Sequence, residues 1–124
     1  MTATPPPPRT IGPITQTDIV RFAGAGGDFN PIHHDPAVAR AAGFEQPIAM
    51  GQFTAALLAG WLTDSYGVEH LRHFEVRFRS PLRIGDVIDL RGSVVSTDDT
   101  SVTLELVATR GDQQLVSGRA TLSV

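Results

Sequence analysis

The segment from Gly51 to Tyr66, GQFTAALLAGWLTDSY, constrains this chain more than any other. Its apolar residues wrap most of a helical cylinder instead of forming one stripe, and a helix apolar nearly all round is a buried one. At 1.5 Å per residue it spans about 24 Å. Ala55, Ala56, Ala59 and Gly60 let other elements approach it closely.

After Gly67 the period changes from helical to two. Phe74, Val76 and Phe78 alternate with His73, Glu75, Arg77 and Arg79, as in a half-buried strand. Pro81 and Gly85-Asp86 break that run. Val87 to Ser96, Val102 to Arg110 and Gln114 to Val124 are three further strands, separated by Asp98-Asp99 and Gly111-Asp112 turns. Antiparallel strands joined by short turns, preceded by one buried helix, predict an α+β domain in which a sheet wraps that helix. A chain of 124 residues with a hydrophobic fraction of 41% suffices for one such domain and its core.

Ahead of the long helix, Thr15-x-x-Asp18 has the form of a capping box with a shorter acid, and Ile19, Phe22 and Ala23 follow at helical spacing. Gly24, Gly26 and Gly27 stop that helix. Pro31 disfavours helix for Asn30, so Asp28 to His33 reads as a turn or loop. Pro36 to Ala42 predicts a short helix with Gly43 as its stop. Pro5 to Pro8 lack amide donors, so residues 1–9 read as a flexible Pro-rich arm and residues 10–124 as the single domain.

The composition excludes several classes. A formal net charge of -3 gives no basic excess for phosphate backbones, which argues against a nucleic-acid partner. Without cysteine there is neither a disulfide framework nor a thiolate metal site. No run approaches the ~20 apolar residues of a membrane span, and Met1 to Arg9 lack a secretory apolar stretch; the expectation is a soluble, cytoplasmic protein with no membrane partner. Dinucleotide, phosphate-loop, serine-hydrolase and zincin signatures are all absent.

Asp28 and His33 are the foremost chemical candidates. A carboxylate and an imidazole facing one cavity can divide the work of moving a proton, one taking it from water while the other orients or donates. Histidine suits the task because its ordinary pKa is about 6.5. Asn30 and Pro31 would support the pair by fixing the loop. Asp and Asn are also ordinary turn residues, and a loop histidine is often only a surface group, so the local pattern leaves both readings open. His33, His34, Asp35 and Asp28 are close enough in sequence to suggest a metal, but consecutive side chains diverge and a third well-spaced ligand is missing, so no metal is expected. Gly51, at the start of the buried helix, either offers an unpaired amide at the positive end of the helix dipole, suited to a developing oxyanion, or simply begins the helix, and the local sequence leaves both readings open.

The run Gly27-Asp-Phe-Asn-Pro-Ile-His33, followed by Asp35-Pro36-Ala37, resembles the hydratase motif of MaoC-like proteins, the (R)-specific enoyl-CoA hydratases and 3-hydroxyacyl-thioester dehydratases. Gly43 to Gly51 resembles the family's next segment, and Phe78-Arg79-Ser80-Pro81 with Gly85-Asp86 is similar to its first long-strand turn. The likeness covers about residues 10–124. It implies a hot-dog fold, a long helix wrapped by an antiparallel sheet, with sites usually built at a dimer interface. It further implies that Asp28 and His33 activate water and that the Gly51 amide holds the thioester oxygen. The reaction implied is reversible syn hydration of a trans-2-enoyl thioester, on CoA or an acyl-carrier protein, to the (R)-3-hydroxyacyl thioester, with no cofactor. Many relatives carry His-Gly-Met where Met50-Gly51-Gln52 stands here. The implied assembly is a homodimer or the active half of a hot-dog heteromer. Met50, Phe53 and Arg79 are the expected substrate contacts. A non-catalytic acyl-binding or stabilising subunit and a thioesterase are the alternatives on the same fold.

Overall fold

The computed structural model describes residues 4–124. Residues 1–3, the first part of the expected flexible arm, lie outside the described residues.

Helix α1 (Gln16–Gly26) opens on the predicted capping box. The Thr15 hydroxyl accepts from the Asp18 amide at 3.1 Å, and the Asp18 carboxylate accepts from the Thr15 amide at 2.8 Å. A cap of this kind is worth about 1 kcal/mol. Gly27 ends the helix in the left-handed region, at φ 72°, which only glycine enters cheaply. A 3-10 turn over Pro31–His33 leads to α2 (Pro36–Ala41), whose cap Asp35 accepts from the Ala37 amide at 2.9 Å. The long helix α3 runs Gly51–Tyr66, as its apolar pattern predicts.

One five-stranded antiparallel sheet in the order β1-β3-β4-β5-β2 covers it. Its strands are β1 (Arg9–Ile11), β2 (Leu71–Phe78), β3 (Ile88–Thr97), β4 (Ser101–Arg110) and β5 (Gln113–Ser123). The register pairs Val94 with Leu104, Leu104 with Ala120, and Ala120 with Phe74, so one face of the sheet is continuously apolar. That face meets Leu58, Trp61 and Leu62 of α3, all of them buried. The opposite face is charged, with Arg119 paired to Glu105 at 3.0 Å, and holds a shallow hollow of about 770 Å³ bordered by Glu75, Arg77 and Arg91.

Strand β1 was not anticipated from the sequence; it is short and pairs with β3 in the register Arg9 to Leu90. The Pro-rich segment, expected as a loose arm, also lies differently from Thr4 onward. Pro6 is buried, the Pro7 carbonyl accepts from the Trp61 indole at 2.9 Å, and Arg9 pairs with Asp64 at 2.9 Å. The physical reason is that proline lacks an amide donor but keeps its carbonyl, and the otherwise buried indole N–H needs an acceptor. Burial pushes the Tyr66 phenol above its ordinary pKa, and its hydroxyl donates to the Thr4 carbonyl.

Candidate active site

The turn that leaves α1 sets the first chemical group. Once Gly27 has reversed the chain, the Asp28 amide donates to the Ala23 carbonyl at 2.8 Å. The carboxylate then faces back over its own loop, where Oδ1 accepts from the Asn30 amide at 3.3 Å. Asn30 Oδ1 accepts from the Ile32 amide at 3.0 Å, and Pro31 takes the first position of the 3-10 turn, where its missing N–H costs nothing. These local bonds present His33 toward Asp28.

His33 is 6% exposed. Its Nε2 lies 3.1 Å from Asp28 Oδ2, and its Nδ1 lies 2.7 Å from the Ile48 carbonyl. A carbonyl oxygen can only accept, so Nδ1 carries a proton and donates it to Ile48. Nε2 then faces a carboxylate oxygen, and two bare acceptors at that distance would repel. A proton moving between Asp28 and His33 has this single contact to travel along. The His33 end of that contact is buried, while the Asp28 side chain is 42% exposed and open to a reactant.

The Ile48 carbonyl also connects this pair to the second chemical group. Ala49 and Met50 follow it, and Gly51 opens α3, whose Met50 cap makes no side-chain hydrogen bond to the first amides. The positive end of the helix is thus left for something else to satisfy. A Cβ built at Gly51 would stand 2.7 Å from the Phe78 ring, so glycine is required for that ring to lie against the backbone. Phe78 itself is 54% exposed. A cleft of about 380 Å³ opens here, lined by Ile48, Gly51, Gln52, Phe78, Arg79 and Leu82 among others. The larger hollow on the outer sheet face shares Arg79 with this cleft but is lined by neither Asp28, His33 nor Gly51.

The expected residues thus divide. Asp28, His33, Asn30 and Pro31 form one bonded unit, and Gly51 is joined to it through the 48–50 segment. Arg79 lines the cleft. Met50 is half-buried against the core, and Phe53 is 8% exposed with its ring edge-to-face on Phe22 at 5.2 Å; neither is among the residues lining that cleft. His34 is exposed and Asp35 is engaged in capping α2. Among the described residues no group of three His, Cys, Asp or Glu side chains is placed to hold a metal. Nor is any helix long and apolar enough to cross a membrane. The sequence missed Phe78 as the cover of Gly51, and it missed the Ile48 carbonyl, a backbone group that no residue identity signals.

A long buried helix wrapped by an antiparallel sheet is the hot-dog arrangement, and here the Asp28–His33 contact is tied through the Ile48 carbonyl to the segment that leads into that helix. Residues 2–115 match the MaoC-like domain, and the chain belongs to that family. It is 30% identical over 113 residues to the (R)-specific enoyl-CoA hydratase of Aeromonas caviae, covering 86% of this chain and 84% of that one. It is 39% identical over 77 residues to 3-hydroxyacyl-thioester dehydratase X of Mycobacterium tuberculosis, a match to 62% of this chain and only 27% of that protein. In fold it is similar to the ChsH1-ChsH2 complex from Mycobacterium tuberculosis, with a TM-score of 0.89 at 24% identity, covering 100% of this chain and 99% of the matched chain.

Proposed function

We propose that this chain hydrates trans-2-enoyl thioesters, on CoA in the first instance, to (R)-3-hydroxyacyl thioesters and catalyses the reverse dehydration. The observation that carries the reading is the 3.1 Å contact of Asp28 with His33, whose Nδ1 is held by the Ile48 carbonyl three residues ahead of the uncapped start of α3.

Asp28 takes a proton from water as the water oxygen bonds to Cβ. The π electrons move through Cα onto the thioester oxygen, where the Gly51 amide and the helix dipole receive the negative charge. His33 Nε2 gives its proton to Cα as the carbonyl re-forms. The proton now on Asp28 returns to His33 across the same contact, which restores the pair. The thioester activates its own double bond, so the step asks for no cofactor. Arg79 at the cleft mouth is the residue we assign to the polar part of the thioester, and the working unit is a pair of hot-dog chains, two copies or this chain with a paralogue.

The test is incubation of the purified chain with short and medium trans-2-enoyl-CoA esters, with the chirality of the product determined. The expected result is loss of enoyl absorbance and formation of the (R)-alcohol. Release of free CoA without hydration would sink the proposal in favour of thioester hydrolysis. A second expectation concerns the oxyanion donor. Gly51→Ala keeps the amide, but its methyl displaces Phe78 into the cleft, and such a misplacement at the reacting groups should lower kcat/KM on the order of a hundredfold. Phe78→Leu in that background should recover part of the loss, as a double-mutant cycle would register. Additive losses would show that the two residues do not meet in the working enzyme.

A further inference from the structure

The reaction above makes no use of the buried charge pair between Asp86 and Arg110. Asp86 is 8% exposed, and the Arg110 side chain is 19% exposed. Asp86 Oδ2 accepts from the Arg83 amide at 2.8 Å and from Arg110 Nη1. The same Nη1 donates to the Pro81 carbonyl at 3.2 Å. Arg110 Nη2 donates to Gln113 Oε1, and the Gln113 amide donates to Ser80 Oγ at 3.0 Å. One guanidinium therefore fixes residues 80–83 at three points: Ser80 through Gln113, Pro81 directly, and Arg83 through Asp86.

That segment is what the site hangs from. The Leu82 carbonyl accepts from the Ala49 amide at 2.8 Å, and Ile48 forms an isolated antiparallel bridge with Arg83. Ile48 in turn supplies the carbonyl that accepts the hydrogen bond from His33 Nδ1–H, and Ala49 lies two residues before Gly51. A continuous run of hydrogen-bonded groups thus joins Arg110 to both halves of the site, although Arg110 lines neither the cleft nor the proton pair.

We propose that Arg110 and Asp86 are positioning residues for the hydratase site: they hold segment 80–83 so that the Ile48 carbonyl meets His33 and the Gly51 amide stands where the thioester oxygen arrives. The kinetic arm of this inference rests on the hydration reading above, while its structural arm does not. A planar fork is needed because a lysine ammonium is a single point on a flexible stem and cannot hold Asp86, Pro81 and Gln113 together. A displacement of about 1 Å at a reacting group can cost on the order of a hundredfold in rate.

The experiment compares Arg110→Lys and Asp86→Asn with the unaltered full chain. Arg119→Lys, whose partner is Glu105 on the outer sheet face, is the control. The first readout is the ring-nitrogen spectrum of His33 in ¹⁵N-histidine-labelled protein, assigned with His33→Gln. In the unaltered chain His33 should show a persistent Nδ1 proton. In both cluster variants that signal should weaken or broaden as Ile48 is released, while the control keeps it. The second readout is kinetic, with kcat falling about tenfold to a hundredfold and KM moving less than about threefold.

A folded cluster variant with an unchanged His33 spectrum overturns the inference, whether or not the chain hydrates enoyl thioesters. So does a changed spectrum with unaltered kcat in an active enzyme. If the unaltered chain shows no hydration, the hydration reading fails separately and the His33 spectrum alone decides. Gln113→Ala, at an exposed position, is the mild third variant, and unfolding of all three would mark the cluster as holding the fold and not the site.

Discussion

Asp28→Asn is expected to lower kcat by about 10² to 10⁴, the range that one proton-transfer group contributes, with little change in thermal stability. The asparagine keeps an acceptor for the Asn30 amide, which Asp28 Oδ1 now holds at 3.3 Å. Its NH₂ takes the place of Oδ2, 3.1 Å from His33 Nε2. Because Nδ1–H is committed to Ile48, Nε2 of the neutral ring presents a lone pair, and the amide N–H satisfies it. The variant thus gains a sound neutral hydrogen bond and loses the group that can take a proton from water.

His33→Ala is the blunter change. It strands the Ile48 carbonyl behind a buried gap, and an unpaired buried acceptor costs about 1–3 kcal/mol. Activity loss in that variant mixes chemistry with misplacement of the segment before Gly51. Steady-state kinetics and a thermal melt on Asp28→Asn decide the matter cleanly. A variant within threefold of the unaltered kcat would falsify the assignment of Asp28 as the group that handles water's proton.

The difference between what was and was not legible in the sequence follows how local each cause is. The α3 boundaries could be read because Gly51 and Gly67 bracket a stretch whose apolar residues wrap most of a helical cylinder, and the α1 start because Thr15 and Asp18 cap it three residues apart. Strands β2 to β5 fall close to their expected bounds because a two-residue period can place only one face on the helix. Strand β1 is three residues beside a proline run, too short for any period to register. The docking of the arm rests on Trp61 and Tyr66 reaching backbone oxygens 54 and 62 positions away, which no local pattern encodes.

The same division holds at the site. Asp28 and His33 are legible because side-chain chemistry and turn residues occur together over a short span. Phe53 and Phe78 are both simply apolar in sequence. One turns into the core against Phe22, and the other ends β2 over Gly51; only the pairing of helix and sheet distinguishes them. Asp86 reads as a turn residue, and its burial becomes visible only when Arg110 arrives from β4.

Trp61→Ala is expected to destabilise the fold by about 3–5 kcal/mol, a large share of the 5–15 kcal/mol that holds a typical domain. Trp61 is 1% exposed and sits in the middle of the all-round apolar helix. A Cβ built at Gly92 would stand 3.2 Å from its ring, so the indole fills the space between α3 and β3 with no margin. Truncation leaves a cavity there that close-packed strands cannot collapse to fill. Trp61→Phe separates the two parts of the effect, keeping most of the ring volume while losing the bond to the Pro7 carbonyl. That carbonyl belongs to an exposed residue and can turn to water, so the loss should be nearer 1 kcal/mol, plus a smaller packing term. Removing residues 1–8 should then cost less in Trp61→Phe than in the unaltered chain, because one of the bonds that tie the arm is already gone. Denaturant midpoints followed by circular dichroism measure all five proteins, since Trp61 is the only tryptophan and its fluorescence is lost on substitution. A cost below about 1 kcal/mol for Trp61→Ala would mean that the sheet does not close on this helix as described. Equal truncation costs in both backgrounds would mean that Pro5–Pro8 hold the fold through contacts other than the indole.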